Sequence, residues 1–71
     1  MKNQKLKKGA SLQIQSITGS NDQKARLIEL GLRQGVSVIY LGQTSFKGPH
    51  LFRTGPITVA LRDEEVLCLN L

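Results

Sequence analysis

The stretch Arg26-Leu27-Ile28-Glu29-Leu30-Gly31-Leu32-Arg33-Gln34-Gly35 constrains this chain more than any other. It closes a helix, turns twice on glycine and launches a strand within ten residues. Gly31 falls where a helix C′ residue takes positive φ, and Leu32 is then expected to fold back on the last helical turn. Upstream, Ser20 followed by Gln23 has the spacing of a capping box, and Asp22 suits the positive end of the helix dipole. Between these signals Leu27, Ile28 and Leu30 are expected to form one apolar stripe, with Lys24 and Glu29 turned to water. A helix of about ten residues does not persist alone, so the stripe must pack on a sheet.

The flanking segments supply that sheet. Leu12 and Ile14 alternate with Gln13 and Gln15 as in a half-buried strand, and the shift of parity to Ile17 predicts a bulge or bend near Ser16. Val36, Val38 and Tyr40 alternate with Ser37, Ile39 and Leu41. Gly42 to Pro49 is a loop bounded by glycines, His50 to Thr54 a short strand and Gly55-Pro56 a turn. Ile57, Val59 and Leu61 define a further strand, Asp63-Glu64-Glu65 a polar corner, and Val66 to Leu71 a last strand. Five short strands with one helix after the first predict a mainly β fold, a small SH3-like antiparallel barrel. Closing the sheet removes the exposed edges that so short a chain could not otherwise protect.

The chain has 71 residues, which is one domain with a modest core. That size disfavours an enclosed active site and leaves a docking surface open. Net charge is +5, but Lys2, Lys5, Lys7 and Lys8 all lie in the first eight residues, and the rest carries six basic against five acidic residues. Residues 1–8 are therefore read as a mobile basic segment, and 9–71 as the single domain. The segment is either a solvated terminus or an arm that touches phosphates of nucleic acid or lipid headgroups. One cysteine, Cys68, excludes an internal disulfide framework and fits a reducing compartment. No apolar run reaches the length of a membrane span, and no apolar segment of a signal peptide follows the lysines. A cytoplasmic location is expected.

No catalytic constellation stands out. Lys47 precedes Gly48 and Pro49 follows, which is the wrong order for a phosphate-binding loop. His50 and Cys68 are too few for a structural metal site, and Cys68 alternates as a small core hydrophobe. Neither a cofactor nor a resident metal is expected. Arg26 is read as an anchor of the helix to a carbonyl or carboxylate, with contact to a partner as the alternative, and Arg62 as a strand-end cap or local ion-pair partner. Phe46 admits two readings: an exposed interface anchor, or a cover folded over the open end of the barrel. Phe52 is read as core.

Four motif pieces occur in order: Arg26-Leu27-x-Glu29-Leu30-Gly31-Leu32; Gly35 with Val36-x-Val38; Gly48-Pro49; and Ala60-Leu61-Arg62 with Glu65. Together they resemble the FeoA family over residues 9–71, nearly the whole chain. The resemblance implies an SH3-like fold and a cytoplasmic accessory role in bacterial ferrous iron uptake. The implied partner is the cytoplasmic part of the membrane permease FeoB, which carries a guanine-nucleotide-binding domain. Membrane association then runs only through that partner. The module is also similar to the C-terminal domain of iron- or manganese-dependent repressors, but without a winged-helix domain the chain resembles the stand-alone form. Phe46-Lys47 departs from the family pattern, which more often has small residues or proline there, and the lysine segment is no part of the shared motif.

The expected function is protein–protein docking that modulates the permease, with Arg33, Phe46, Lys47 and His50 as contact residues. Self-association into a weak oligomer is left open. The rival is a small basic nucleic-acid-binding barrel, against which stands the small number of aromatics, Tyr40, Phe46 and Phe52. A third reading has Arg33, in its turn, donated in trans to a GTPase.

Overall fold

The computed structural model describes residues 6–71. It is mainly β, with a four-stranded antiparallel sheet, a second two-stranded sheet and a short helix, consistent with an SH3-like barrel. The elements are β1 (Ser11–Gln13), β2 (Ser16–Ile17), α1 (Asn21–Glu29), β3 (Ser37–Gln43), β4 (His50–Thr54), β5 (Ile57–Leu61), α2 (Asp63–Val66) and β6 (Leu69–Asn70). The large sheet has the order β1-β3-β4-β5, and β2 pairs with β6 in the small one.

The first expected strand is two strands. Ile14 still belongs to the large sheet: its N–H donates to the Val36 carbonyl at 2.9 Å, and its carbonyl accepts from Gly35 at 2.8 Å. The next residue, Gln15, donates instead to the Asn70 carbonyl at 2.6 Å. The chain thus changes sheets between Ile14 and Gln15, which accounts for the parity shift read at Ile17. A bulge does occur, but in β3, where the register with β4 shifts between Tyr40 and Gly42.

Helix α1 follows its sequence signals closely. Ser20 Oγ accepts from the Gln23 N–H at 3.1 Å while Gln23 Oε1 accepts from the Ser20 N–H at 2.8 Å. At the other end Gly31 has φ +91°, Leu32 N–H donates to the Leu27 carbonyl and Gly31 N–H to the Ile28 carbonyl, both at 2.9 Å. These two bonds are the Schellman motif, and they press Leu32 into the core with no exposure at all. The expected stripe needs one correction. Leu27 is buried and Leu30 half-buried, but Ile28 is 48% exposed. At 100° per residue Ile28 turns away from the axis joining 27 and 30, which lie on neighbouring turns of one face.

The core comprises Ile14, Leu27, Leu32, Val38, Tyr40, Phe52, Val59, Leu61, Cys68 and Leu69. Phe52 and Cys68 are where the sequence put them. Alternation in β3 and β5 sends Val38, Tyr40, Val59 and Leu61 inward. Ile57, expected on the same face, is exposed at the start of β5, directly after the Gly55-Pro56 turn.

The C-terminal segment differs most from its expectation. Asp63–Val66 is a single helical turn rather than an irregular corner, and only Leu69–Asn70 is strand. The reason is local: the Arg62 N–H donates to Glu65 Oε1 at 2.9 Å, so Glu65 closes the first turn as the reciprocal half of a capping box would. At the N-terminus, Leu6 packs against the core and Gly9 N–H donates to the Tyr40 carbonyl at 2.6 Å. Of the segment 1–8 expected to be mobile, residues 1–5 lie outside the described residues.

Candidate functional site

The loop between β3 and β4 is a braced structure. Thr44 N–H and Oγ both donate to the Pro49 carbonyl, at 3.0 and 3.2 Å, and Gln43 Nε2 donates to the Gly48 carbonyl at 2.8 Å. At its tip Gly48 N–H donates to the Ser45 carbonyl at 2.8 Å, closing a four-residue turn. Lys47, at the third position, has φ +66° and is the only described non-glycine residue with positive φ. That is the pattern of a type II turn, where glycine is the usual occupant of the third position. Here the glycine is needed one residue later. A Cβ on Gly48 would stand 2.5 Å from Thr44 Oγ1 and 2.6 Å from Ser45 Oγ, so the loop closes over a residue without a side chain.

The two central residues of that turn project outward. Phe46 is 90% exposed, the most exposed large hydrophobic side chain described. The ring therefore does not fold over the open end of the barrel. Lys47 Nζ lies 5.5 Å from the centroid of the Phe46 ring, within cation–π range.

Beside the turn is a shallow cavity of about 200 Å³ lined by Lys47, Gly48, Pro49, Arg62, Asp63 and Glu64. Two cations and two carboxylates face it. Behind it runs a hydrogen-bonded chain. His50 Nε2 is 2.6 Å from Asp63 Oδ1, and Nδ1 is 2.7 Å from the Tyr40 hydroxyl. A carboxylate can only accept, so Nε2 carries a proton toward Asp63 while Nδ1 pairs with the Tyr40 hydroxyl. Burial, with the charge of Asp63 added, pushes the Tyr40 phenol above its ordinary range. Both ring nitrogens of His50 are thereby used within the fold, where they tie α2 to β3 and β4. His50 braces the loop from inside, and its ring presents no free nitrogen to a partner.

Arg33 is not part of this group. It is exposed in the connection before β3, whereas the loop follows the other end of that strand. The seven residues of β3 separate them by about 20 Å at ~3.3 Å per residue. The contact region drawn from the helix end to the loop is therefore not one patch. The structure adds Arg62, Asp63 and Glu64, which sequence reasoning gave only local roles. The pairing of His50 with Leu61 brings positions 62–64 beside the loop, and that register has no signature in the sequence.

On the far side of α2, Arg26 Nε donates to Glu65 Oε2 at 2.6 Å. The hydrogen bond from the Arg62 backbone, and then that from Arg26, hold the Glu65 carboxyl below its ordinary value against the opposing effect of its burial. Arg26 is the helix anchor its position suggested, and Glu65 is its partner. Cys68 Sγ donates to the Glu64 carbonyl at 3.4 Å, and burial raises its thiol pKa. Among the described residues no three His, Cys, Asp or Glu side chains converge as a metal cage.

The fold is thus a small, mainly β domain that carries a braced, outward-facing hairpin loop. The FeoA domain model matches residues 4–68, and the chain belongs to the FeoA family, a family of ferrous iron transport accessory proteins. Comparison with curated proteins and with solved structures finds no match. No helix among the described residues is long and apolar enough to cross a membrane.

Proposed function

We propose that this protein is a cytoplasmic docking module that binds the cytoplasmic part of a FeoB-type ferrous iron permease and modulates its assembly or activity. One observation carries the reading beyond family membership: a nearly fully exposed phenylalanine held on a rigidly braced turn. An apolar ring in water is unfavourable by roughly 1.5–3 kcal/mol relative to its burial, and a preformed turn loses little entropy on binding. Those are the properties of an interface anchor. Phe46 and Lys47 are the contact residues, the adjoining cavity receives a partner side chain, and His50 holds the platform in place.

The test is an NMR titration of the labelled protein with the isolated cytoplasmic domain of the permease. Amides of Ser45 to Gly48 should shift first, and Phe46→Ser should weaken binding by at least about tenfold, as a hot-spot residue does. Shifts confined to the Arg33 end of the barrel would refute the loop as the docking site. Co-purification that survives deletion of the permease's cytoplasmic part would refute the partner.

A further inference from the structure

At one end of the large sheet, two lysines that permease docking does not use, Lys7 and Lys8, join the loop that it does use. The register fixes a row across that end, with Gln43 facing His50 and His50 facing Leu61. The chain entering β1 runs to the same end. Gly9 bonds the Tyr40 carbonyl, and the stem of Lys8 lies over Gly42, where a Cβ would come within 2.9 Å of its Cε. Lys7 and Lys8 therefore stand at the foot of the loop whose tip carries Phe46 and Lys47. Arg62 leaves β5, the other outer strand, at the same end and shares the cavity wall with Lys47. Four cations and one bare aromatic ring thus occupy one end of the barrel. The acids there are Asp63, which is held by His50, and Glu64. No lysine takes part in a described ion pair.

We infer that this end of the barrel binds the surface of an anionic lipid bilayer directly. Phe46 enters the boundary between headgroups and acyl chains, and Lys7, Lys8, Lys47 and Arg62 lie against lipid phosphates. An exposed apolar ring on a face that also carries lysines is the chemistry of interfacial attachment: the ring supplies buried area, and each cation near an anionic surface adds attraction. Long lysine stems let the charge stay at headgroup level while the ring goes deeper. Single-stranded nucleic acid fits the same face less well. It needs successive stacking rings, but Tyr40 is 6% exposed and Phe52 not at all, which leaves one ring. The inference goes beyond permease docking, and it replaces the expectation that membrane contact runs only through a partner.

Vesicles without protein separate the two ideas, because failure to bind them leaves the docking reading untouched. The measurement is co-sedimentation of the full chain with phosphatidylcholine vesicles, with and without phosphatidylglycerol at about one-third of the lipid. Binding is expected only to the anionic vesicles, and it should vanish in molar salt. Lys7→Gln with Lys8→Gln should lower the partition roughly 30-fold, from two cations at about 1 kcal/mol each. Phe46→Ser should lower it about tenfold through lost apolar burial. Since Lys8 packs on Gly42, the pair Lys7→Gln with Lys47→Gln gives the same reading if the first pair unfolds. The inference is overturned by no binding, by equal binding to neutral vesicles, or by an unchanged partition for Phe46→Ser. It is also overturned if a single-stranded oligonucleotide binds more tightly than the vesicles and strips the protein from them.

Discussion

Two of the turns that put a residue at positive φ do opposite things with the side chain next to it. After α1 the strained position is taken by Gly31, and the following residue, Leu32, is driven into the core without exposure. After β3 it is taken by Lys47, and the preceding residue, Phe46, is thrust into water at 90% exposure. The first turn puts glycine where glycine is needed and buries its apolar neighbour, so local preference and global packing agree. The second does neither. A non-glycine residue in the left-handed region costs of order 1 kcal/mol, and an exposed ring adds nothing to folding. Conflicts of this kind collect at functional sites, where the surrounding structure holds a conformation that stability alone would not select. The hydrogen bonds from Gln43 and Thr44 to Gly48 and Pro49 are that surrounding structure.

The comparison is broken most directly by truncating each apolar neighbour. Leu32→Ala should lower the unfolding free energy by about 2–5 kcal/mol, through lost burial and the cavity left behind. That is a large part of the roughly 5–15 kcal/mol that holds a typical domain together. Phe46→Ala should change it by no more than about 0.5 kcal/mol, as exposed substitutions do. Urea midpoints measured at constant slope give both values. A Phe46→Ala loss near that of Leu32→Ala would mean the ring packs on the barrel in solution, and the second turn would then be another core device.

The two turns were also unequally legible in the sequence. The first is written in contiguous residues: Ser20 and Gln23 fix one end of the helix, and Gly31 with Leu32 fixes the other. Local hydrogen bonding decides such features, so spacing alone reveals them. The alternation of Val38 with Tyr40 and of Val59 with Leu61 likewise located the core, and Arg26 was assigned its anchoring role before its partner was known. What escaped depended on distant pairing. The switch of sheets at Ile14–Gln15 exists because Asn70 is there to accept the Gln15 N–H. The one-turn helix at Asp63–Val66 hid within an acidic run. The cavity wall of Arg62, Asp63 and Glu64, and the engagement of both His50 nitrogens, follow from the register of β4 with β5. Phe46 was identified as a candidate, but its orientation needed the brace.

Smaller effects sharpen the contrast. Gly31→Ala should cost about 1 kcal/mol, the penalty of a Cβ in the left-handed region, since open space around the position excludes any clash. A thermal melt will show it, and a neutral result would mean the Schellman turn relaxes freely. Glu65 makes the comparison pH-dependent, because it fastens α2 behind the loop and has no counterpart at the first turn. Its carboxyl is held below the ordinary value of 4.5, so the folded state binds its proton less readily than the unfolded state. Its contribution is therefore complete above that pH and is lost as pH falls through the lower, folded-state value. Stability measured against pH should decline on that acid limb, and Glu65→Gln should flatten the decline while lowering stability at neutral pH. Arg26→Ala should produce a weaker version, about 1 kcal/mol or less, because the guanidinium is 61% exposed.

The smallest expected effect is also the most discriminating. Lys47→Gly places the preferred residue at the third position of the turn and relieves the left-handed strain, while adding freedom to the unfolded chain. The first term is about 1–2 kcal/mol in favour and the second about 0.5–1 kcal/mol against. Loss of the cation–π contact removes roughly another 0.5 kcal/mol, leaving a net change of less than about 1 kcal/mol. Stability is thus expected to stay nearly level, with the Ser45–Gly48 hydrogen bond kept. Binding is expected to fall, because the lysine charge beside the ring is gone. Unfolding curves and the permease titration, run on the same variant, separate the two. Unchanged stability with weakened binding fits a lysine retained at this position for contact. A loss of stability above 1 kcal/mol with binding intact would make Lys47 a structural residue, and the two turns would then differ in composition without differing in purpose.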